Sequence, residues 1–300
     1  MSKVMLIVNP SSGKEEGKEF AEDVNKKLLE MFDEVELKWT EKGGDAERFA
    51  RNAAQCQFDA VFALGGDGTV NECMSGLATE SNRPDFGFIP LGTVNDLGRV
   101  LGISMDPKEA IKQLTHMKKK EIDMGRINDH YFIDIVAIGS IPEAVHEVPI
   151  EKKTKLGPMA YLLEGVKAVA DKKVYSFEIN CDGEIVELES LLVLVALTNS
   201  VAGFQTMIPE AKVDDGYMHI LALKGNEIAD KLSLIPKIFA GEAPNDENVF
   251  YRKFKKGTII LKDDSMDVKA NVDGDEGDSL PLDLEILPKH ITVYVPDNKE

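Results

Sequence analysis

A glycine-rich run at Gly65–Glu72 has the residue types and spacing of a phosphate site. It directly follows the apolar run Ala60–Leu64, which predicts a buried strand ending in a tight turn. Apolar residues then recur at helical spacing, so we expect a helix to begin near Thr69. Glycines let the backbone approach a ligand closely, and the amides at a helix N-terminus favour an anion. We favour a phosphorylated ligand over the alternative, an ordinary turn between strand and helix.

Two more clusters of glycine and short polar residues follow predicted strands. One is Asn9–Lys14, which lacks the spacing of a Walker P-loop, and the other is Pro90–Asp96. For Asn95 or Asp96 taken singly, helix capping is a strong alternative. Three such clusters at the strand ends of one sheet favour a ligand site, because open α/β sheets bind ligands at the carboxyl ends of their strands.

An acidic cluster appears much later, at 271–278, with the sequence NVDGDEGD. By itself this cluster predicts a hairpin turn with acidic side chains around it. It is also similar to part of a calcium loop. The EF-hand spacing fails, however, because the cluster has no flanking pair of helices and no closing Glu at the required offset.

The order of apolar patterns divides the chain into two kinds of structure. Strand and helix patterns alternate over the first ~125 residues, which predicts a parallel α/β domain. In it, Asp45 is expected to be the N-cap of one helix, and Asp106-Pro107 to open another. Strand patterns dominate afterwards, with a hairpin turn at Asp182-Gly183. Helices are expected only near 158–171 and 228–239, and the charged stretch 242–256 is expected to be a solvated connection.

We therefore predict an α/β fold followed by an all-β fold. The pattern changes near residue 124, so the α/β part is expected over 1–124 and the mostly antiparallel β part over 125–288. The 300 residues include 43% apolar residues, enough for a large core, and no apolar stretch approaches the ~20 residues of a membrane helix. Three scattered cysteines indicate a reduced, cytoplasmic setting. A net charge of -18 argues against nucleic acid as a partner.

The ordered set of motifs resembles the diacylglycerol kinase catalytic domain, most closely that of the soluble bacterial lipid kinases related to sphingosine kinases and NAD kinases. The resemblance spans nearly the whole chain. The motifs that carry it are Asn9-Pro10-x-Ser12-Gly13, Thr40 with Gly44-Asp45-Ala46, Gly65-Gly66-Asp67-Gly68-Thr69-x-Asn71-Glu72, Pro90-x-Gly92-Thr93-x-Asn95-Asp96, Asp123-x-Gly125, Pro209-x-Ala211-x-x-x-Asp215-Gly216 and Asp273-Gly274.

The resemblance implies a two-domain kinase that uses ATP and Mg²⁺. Its nucleotide-binding α/β domain would comprise 1–124, with 289–300 returning to it, and its antiparallel, β-sandwich-like lipid-substrate domain would comprise 125–288. The residues that the resemblance places around the nucleotide are Asn9, Ser12, Thr40, Gly65, Gly66, Asp67, Gly68, Thr69, Gly92 and Thr93. Asp67 would also help to hold the phosphates through Mg²⁺, which makes it a catalytic residue as well.

The resemblance also assigns roles to acidic residues. Asp273 would be the general base for the lipid hydroxyl, and Asp275 stands where the family normally has Glu, which puts a metal or proton contact there in doubt. Asp96 and Asp123 resemble residues that link a Mg²⁺ to the active site. A structural Mg²⁺ would be bound by Asp215 and by backbone carbonyls of Lys212 and Tyr217.

The activity implied is phosphorylation of the diacylglycerol hydroxyl to give phosphatidic acid, a step that would serve phospholipid synthesis. The alternatives are a kinase of another lipid hydroxyl, such as a sphingoid base or another glycerolipid, and an inactive nucleotide-binding regulatory protein. The lipid would be met at an anionic membrane surface, to which a cytoplasmic protein would bind peripherally through local basic clusters. These are Lys118–Lys120, Lys152–Lys155, Lys172-Lys173 and Lys253–Lys256, with the segment 148–161 as the expected membrane-facing element. Exposed edges of the β domain would allow a homodimer.

Overall fold

A computed structural model of the chain describes residues 1–13, 16–139, 174–200, 208–224, 234, 237, 240–263 and 265–297. The chain divides into two compact units, Met1–Met124 with Lys289–Glu300, and Gly125–Pro288. The segment 148–161 lies outside the described residues, as do the two helices predicted near 158–171 and 228–239 apart from residues 234 and 237.

Strands and helices alternate in the first unit. Its elements up to residue 113 are β1 (Lys3–Val8), α1 (Glu16–Leu28), β2 (Glu34–Trp39), α2 (Asp45–Gln55), β3 (Ala60–Gly65), α3 (Asp67–Ala78), β4 (Asp85–Pro90), α4 (Asp96–Val100) and α5 (Pro107–Gln113). The strands are parallel in the order β2-β1-β3-β4. The two apolar runs that form β1 and β3 are the central strands and are almost completely buried, as expected for a parallel sheet covered on both faces.

Strands make up nearly all of the described chain that follows. They are β5 (Met117–Ile127), β6 (His130–Phe132), β7 (Ile135–Ile138), β8 (Tyr175–Cys181), β9 (Glu184–Ser190), β10 (Val193–Ala196), β11 (Met218–Leu223), β12 (Val249–Phe254), β13 (Lys256–Leu261), β14 (Lys269–Val272), β15 (Asp275–Ser279) and β16 (Leu282–Pro296). The long strand β16 passes from the second unit into the first, where Val293 pairs with Phe86 of β4 in parallel.

The second unit has a core between two antiparallel groups of strands. One group has the order β12-β11-β10-β7-β14-β15, and the other contains β8, β9, β13 and the first part of β16. Alternate residues such as Phe177, Ile259 and Leu284 of the second group pack in one apolar cluster with Val195 and Ile220 of the first. This arrangement confirms the prediction of an α/β fold combined with an antiparallel β fold.

Several local predictions can be compared directly with the backbone. Asp106 is the N-cap of α5, where its carboxylate accepts the N–H groups of Lys108 and Glu109. Asp182 and Gly183 both have positive φ and join β8 to β9, as predicted for a hairpin. The expectation of a solvated connection over 242–256 was wrong, because β12 lies within it and pairs with β11.

The predicted N-cap of α2 was also wrong. Gly44, with φ of 81°, occupies the cap position, and Asp45 is the first residue of the helix. The Asp45 carboxylate instead accepts the N–H groups of Glu41 and Lys42, at 2.9 and 3.1 Å, and contacts the Arg48 guanidinium at 2.8 Å. These bonds lower the pKa of Asp45 from 3.8 to about 2, with Arg48 as the largest cause.

Candidate active site

The residues that follow β1 and β3 meet at the carboxyl edge of the parallel sheet. The Asn9 backbone N–H donates to the Leu64 carbonyl at 3.0 Å, and Asn9 Nδ2 donates to Thr69 Oγ1 at 3.1 Å. The turn after β4 reaches the same place, since the Leu91 N–H donates to the Gly65 carbonyl at 2.8 Å. The three motifs that are far apart in sequence thus form one cluster, because strands of a parallel sheet end at the same edge.

Glycine avoids short contacts at three of these positions, where chain segments approach closely. A Cβ atom on Gly65 would lie 2.6 Å from the Thr69 side chain, and one on Gly66 would lie 3.1 Å from the Gly92 Cα atom. A Cβ on Gly92 would lie 2.6 Å from Asn95 Oδ1. Gly68 differs, because a Cβ there would meet nothing within 4 Å.

Asp67 joins the two glycine turns. Its Oδ2 atom accepts the N–H of Asn95 at 2.9 Å, and its Oδ1 atom accepts that of Asp96 at 3.0 Å. Burial raises the pKa of Asp67, and the nearby charge of Asp96 adds to this effect, while the two amides act in the opposite direction. The Asp67 carboxylate, at the start of α3, therefore accepts two backbone N–H groups that have no partner within α4.

The helix-cap explanation is wrong for the Asn95 side chain. Asn95 has a left-handed backbone, with φ of 53°, and makes no side-chain cap bond to α4. Its amide group instead accepts the Gly92 N–H at 2.9 Å and donates to the Gly92 carbonyl at 2.7 Å, which closes the turn. Asp96 is buried at the first position of α4, whereas Thr93 is exposed.

The other predicted nucleotide residues of this unit lie in nearby turns. Asn9 Oδ1 accepts the N–H and the hydroxyl of Ser11, and the Ser12 N–H donates to the Asn9 carbonyl. Thr40, just after β2, donates its N–H to the Val8 carbonyl at 2.9 Å. Glu72, which lies in the same motif as Asp67, reaches α2 instead, where its carboxylate accepts the Ala46 N–H at 3.1 Å.

Asp123 lies in β5 and is buried. Its Oδ1 atom accepts the Lys289 N–H at 2.8 Å, where the chain returns to the first unit. Asp123 therefore anchors the returning segment. The described residues contain no group of three or more His, Cys, Asp or Glu side chains arranged to hold a metal ion.

In the second unit, Asp273 and Gly274 form the turn between β14 and β15. Both have positive φ, 50° and 97°, as in the two-residue turns that suit β-hairpins. The Asp273 carboxylate accepts three backbone N–H groups, from Ile133 and Ile135 at 2.8 Å and from Asp134 at 3.0 Å. These charge-assisted bonds hold the carboxylate in one orientation.

Asp275 is the first residue of β15 and is exposed to solvent. Its neighbour Glu276 forms an ion pair with Lys269, with a distance of 2.6 Å between Nζ and Oε1. The acidic stretch is thus not only a turn, because its second half forms a strand that pairs with β14.

Asp215 belongs to a partly buried network, centred on His219, that the sequence patterns did not reveal. Its Oδ1 atom accepts the Tyr217 N–H at 3.0 Å, and its Oδ2 atom lies 2.9 Å from Nε2 of the buried His219. The other ring nitrogen of His219 lies 2.8 Å from the Tyr251 hydroxyl. Burial is the main cause that raises the pKa of Tyr251 to about 12. The Asp215 N–H donates to the Lys212 carbonyl at 3.3 Å.

Comparisons with known proteins agree with this arrangement. Residues 3–127 match the family model described as diacylglycerol kinase catalytic domain, and residues 136–295 match the one described as YegS C-terminal NAD kinase beta sandwich-like domain. A diacylglycerol kinase of Staphylococcus saprophyticus is 36% identical over 99% of this chain and 96% of its own. A Streptococcus pneumoniae protein whose name includes the words lipid kinase is 40% identical over 98% of both chains.

The chain belongs to the diacylglycerol kinase catalytic-domain family. It is therefore a phosphotransferase with an alcohol acceptor, in a family of lipid kinases. The crystal structure of a diacylglycerol kinase from Bacillus anthracis superposes with a TM-score of 0.83, at 30% identity over 99% of this chain and 98% of that one. An NAD kinase from Archaeoglobus fulgidus, crystallised with ATP, shares the fold, with a TM-score of 0.52 at 14% identity over 99% of this chain and 94% of that one.

The described basic clusters of this family member differ in their pairing. Lys118 and Lys119 form ion pairs with Asp297 and Asp85. In contrast, the ammonium groups of Lys253 and Lys255 lie 5.1 and 5.0 Å from the centre of the Tyr217 ring. The clusters at 152–155 and 172–173 lie outside the described residues. No helix among the described residues is long and apolar enough to cross a membrane.

Proposed function

We propose that this chain is an ATP- and Mg²⁺-dependent lipid kinase that phosphorylates the hydroxyl group of diacylglycerol to give phosphatidic acid. The observation that carries the proposal is the meeting of the two glycine turns at Asp67, beside the N-terminus of the 12-residue helix α3. The relatives named diacylglycerol kinase support the choice of acceptor.

The glycine turns suit the phosphates of ATP. The backbone at Gly68 is exposed and has open space above it, so a phosphate can approach the amides at the start of α3. We expect Gly65 to Thr69, with Gly92 and Thr93 of the second turn, to bind the phosphates. Asn9, Ser12 and Thr40 lie at or near the ends of β1 and β2, and we expect them to surround the rest of the nucleotide.

The same edge of the sheet suits Mg²⁺. This ion usually takes one or two carboxylates and completes its shell with phosphate oxygens and water. Asp67 and Asp96 are neighbouring carboxyl groups that repel each other. Burial is the largest cause that raises the pKa of Asp67, and the negative charge of Asp96 is the second cause that raises it. A bound cation would relieve this repulsion. A link through Asp123, and a structural Mg²⁺ bound by Asp215 with the carbonyls of Lys212 and Tyr217, stay predictions.

We assign the general-base role to Asp273. ATP supplies the γ-phosphoryl group when it is bound, and phosphoryl transfer depends mainly on positioning and electrostatics. Three backbone N–H groups fix the Asp273 carboxylate, so it can receive the proton of the acceptor hydroxyl without first losing rotational freedom. We expect Asp275, exposed two residues further on, to contribute a metal or proton contact that its shorter side chain weakens relative to Glu.

We also propose that the protein is cytoplasmic and meets its lipid by peripheral association with an anionic membrane. Lys253 and Lys255 support this proposal, because they share the Tyr217 ring and have no carboxylate partner among the described residues. Each lysine near an anionic leaflet contributes about 1 kcal/mol.

A kinase assay tests the proposal. The protein is incubated with labelled ATP, Mg²⁺ and micelles that contain diacylglycerol, while parallel reactions contain a sphingoid base or NAD. We expect label in phosphatidic acid. Label in another product only would replace the acceptor, and bound ATP without any labelled product would support a regulatory protein instead.

The variant Asp273→Asn tests the catalytic role. We expect turnover to fall by about 10²–10⁴-fold, the usual contribution of a general base, with unchanged ATP affinity. Glu276→Gln is the matched control in the same hairpin and should keep its turnover. Full activity of Asp273→Asn would show that another group accepts the proton, and Asp275→Glu then tests whether the family's usual residue raises the rate.

A further inference from the structure

His219 is a buried imidazole at the meeting point of a turn and two strands of the second unit. It lies in β11 and is 1% exposed. Its Nε2 atom lies 2.9 Å from Oδ2 of Asp215, in the turn before β11, and its Nδ1 atom lies 2.8 Å from the hydroxyl oxygen of Tyr251 in β12. Both ring nitrogens therefore have a partner, as polar groups in a protein interior require.

The pairing of β11 with β12 brings Tyr251 to His219. In this antiparallel register His219 lies opposite Lys253, and Leu221 lies opposite Tyr251. Tyr251 is therefore the diagonal neighbour of His219 on the same face of the sheet, a separation that aromatic side chains can span. The two rings stack, with their centroids 6.0 Å apart and an angle of 28° between their planes. The sheet, rather than a loop, thus fixes the contact between them.

The order of donors along this network follows from the groups that form it. A carboxylate only accepts hydrogen bonds, so the hydrogen between Asp215 and His219 lies on Nε2. Nδ1 then accepts, and the Tyr251 hydroxyl is its donor. Burial is the largest cause that raises the pKa of Tyr251 to about 12, so this hydroxyl keeps its hydrogen. Glu210 Oε2 lies 3.5 Å from the hydroxyl oxygen, beyond the usual range of such a bond. Tyr251 therefore selects the tautomer of His219 that donates to Asp215.

Both oxygens of the Asp215 carboxylate are held by hydrogen bonds. Oδ1 accepts the N–H of Tyr217, two residues further along the chain, at 3.0 Å, which is the bond of an Asx-turn. Gly216 lies between them with φ of 75°, a backbone conformation that favours glycine. Oδ2 accepts the hydrogen on Nε2 of His219. With one bond on each oxygen, the plane of the carboxylate is fixed.

The held carboxylate is the side chain predicted above to bind a structural Mg²⁺ with the carbonyls of Lys212 and Tyr217. An all-oxygen set of this kind suits a hard divalent cation. The residues fit such an ion, because a carboxylate has about four lone pairs and the two hydrogen bonds use only two of them. The Asp215 side chain is 21% exposed, so an ion can reach it from solvent, whereas His219 is closed to solvent.

We propose that His219 and Tyr251 are positioning residues for this Mg²⁺ site, an inference that rests on the structural Mg²⁺ of the proposed function. His219 holds the Asp215 carboxylate, and Tyr251 holds the His219 ring in the donating tautomer. Partners behind a metal ligand fix its orientation before the ion arrives, so that binding does not have to order the side chain. Neither His219 nor Tyr251 binds the ion in this assignment.

Thermal unfolding of the whole chain in a series of MgCl₂ concentrations tests the proposal. An ion that binds only the folded state raises the unfolding temperature with its concentration, and this dependence gives an apparent dissociation constant. KCl of equal ionic strength is the reference at each concentration, and ATP is omitted. We expect Asp215→Ala to lose the saturable shift. Glu276→Gln, which removes an exposed carboxylate from the same unit, should keep it.

Variants of the two positioning residues then separate orientation from stability. His219→Leu should raise the apparent Mg²⁺ dissociation constant by about 10–100-fold, the usual effect of removing a partner of a metal ligand. His219→Gln should bind Mg²⁺ nearly as well as the original chain, because the glutamine amide nitrogen can donate to Asp215 from the place of Nε2. Tyr251→Phe removes only a hydroxyl and should weaken binding less than His219→Leu. Leu221→Ala is the matched control, since Leu221 is fully buried on the same face of β11. It should lower stability and leave the Mg²⁺ affinity unchanged.

The outcomes distinguish a failure of this inference from a failure of the predicted metal site. If Asp215→Ala keeps the full Mg²⁺ shift, the structural Mg²⁺ site is wrong and the inference is overturned with it. If Asp215→Ala loses the shift but His219→Leu binds Mg²⁺ as tightly as Leu221→Ala, the site stands and the role of His219 is overturned. If His219→Leu does not fold, the comparison of Tyr251→Phe with Leu221→Ala decides, and equal affinity would overturn the proposal.

Nitrogen NMR of the His219 ring gives an independent measurement, with the signals assigned by their loss in His219→Gln. We expect the hydrogen on Nε2 in the original chain, and a change in the tautomer population in Tyr251→Phe. A hydrogen on Nδ1 alone would overturn the assignment, because His219 could not then donate to Asp215. None of these readouts depends on kinase activity.

Discussion

Replacement of Gly92 by alanine tests the close contact between the two glycine turns. The added Cβ would lie 2.6 Å from Asn95 Oδ1, 3.0 Å from the Gly66 Cα atom and 3.2 Å from Asp67 Oδ2. Two of these neighbours are held by hydrogen bonds, so relief requires the turns to separate. Overpacking of this kind costs about 1–3 kcal/mol, and loss of the bond from the Gly92 N–H to Asn95 adds about 1 kcal/mol.

Gly68→Ala is the matched control in the neighbouring turn. A Cβ at Gly68 meets nothing within 4 Å, and the residue lies in the first turn of α3. Alanine there should leave the unit as stable or make it more stable by up to about 1 kcal/mol, because glycine loses more backbone entropy on folding. We expect Gly92→Ala to lower the free energy of unfolding by about 2–4 kcal/mol.

Denaturant unfolding can be followed by the fluorescence of Trp39, the single tryptophan, which lies in the first unit. ATP affinity is measured in parallel. We expect Gly92→Ala to lose both stability and affinity, and Gly68→Ala to lose affinity alone, since its methyl group would occupy the space proposed for a phosphate. Equal stability of the two variants would refute the close-contact argument. Unchanged ATP affinity of Gly68→Ala would refute the phosphate position.

Three further perturbations test other parts of the structure. Folding lowers the pKa of Asp45 from 3.8 to about 2. The ionised carboxylate therefore contributes its full stabilisation of the folded state above pH 3.8, and this contribution is lost as the pH falls from 3.8 to about 2. Asp45→Asn should accordingly make the free energy of unfolding less dependent on pH in this range. Phe177→Ala removes a fully buried ring from the β core and should cost about 3–5 kcal/mol, measured by circular dichroism during denaturation. His219→Ala leaves the Asp215 carboxylate without a buried partner and should cost about 1–3 kcal/mol in the same assay.

Periodicity in the sequence was enough to predict the fold class. The apolar runs at β1 and β3 and the helical spacing after Thr69 are local patterns, and they report burial directly. The same reasoning failed at 242–256, because charged residues dominate the composition of that stretch. Only Val249, Phe250 and Phe254 of β12 are buried, and the pairing of β12 with β11 decides its conformation.

The acidic residues show where local patterns end. Asp45 has the residue type of a helix cap, yet Gly44, with a left-handed backbone conformation, occupies the cap position. The Asp45 carboxylate instead accepts the N–H of Glu41, which precedes the helix. The network of Asp215 and His219 depends on Tyr251, which comes from another strand. No spacing within either segment could indicate this contact, because it is set by strand register.

The sequence by itself determined the types of the elements and the positions of the glycine turns, since both follow from short-range burial patterns and backbone sterics. Only the tertiary structure decided which groups the carboxylates of Asp67 and Asp273 would bind. Asp67 accepts amides 28 and 29 residues away, and Asp273 accepts amides 138 to 140 residues away. The Asp67 contacts require the parallel strands to end at one edge of the sheet. The Asp273 contacts require the β14–β15 hairpin to pack against residues 133–135, at the start of β7.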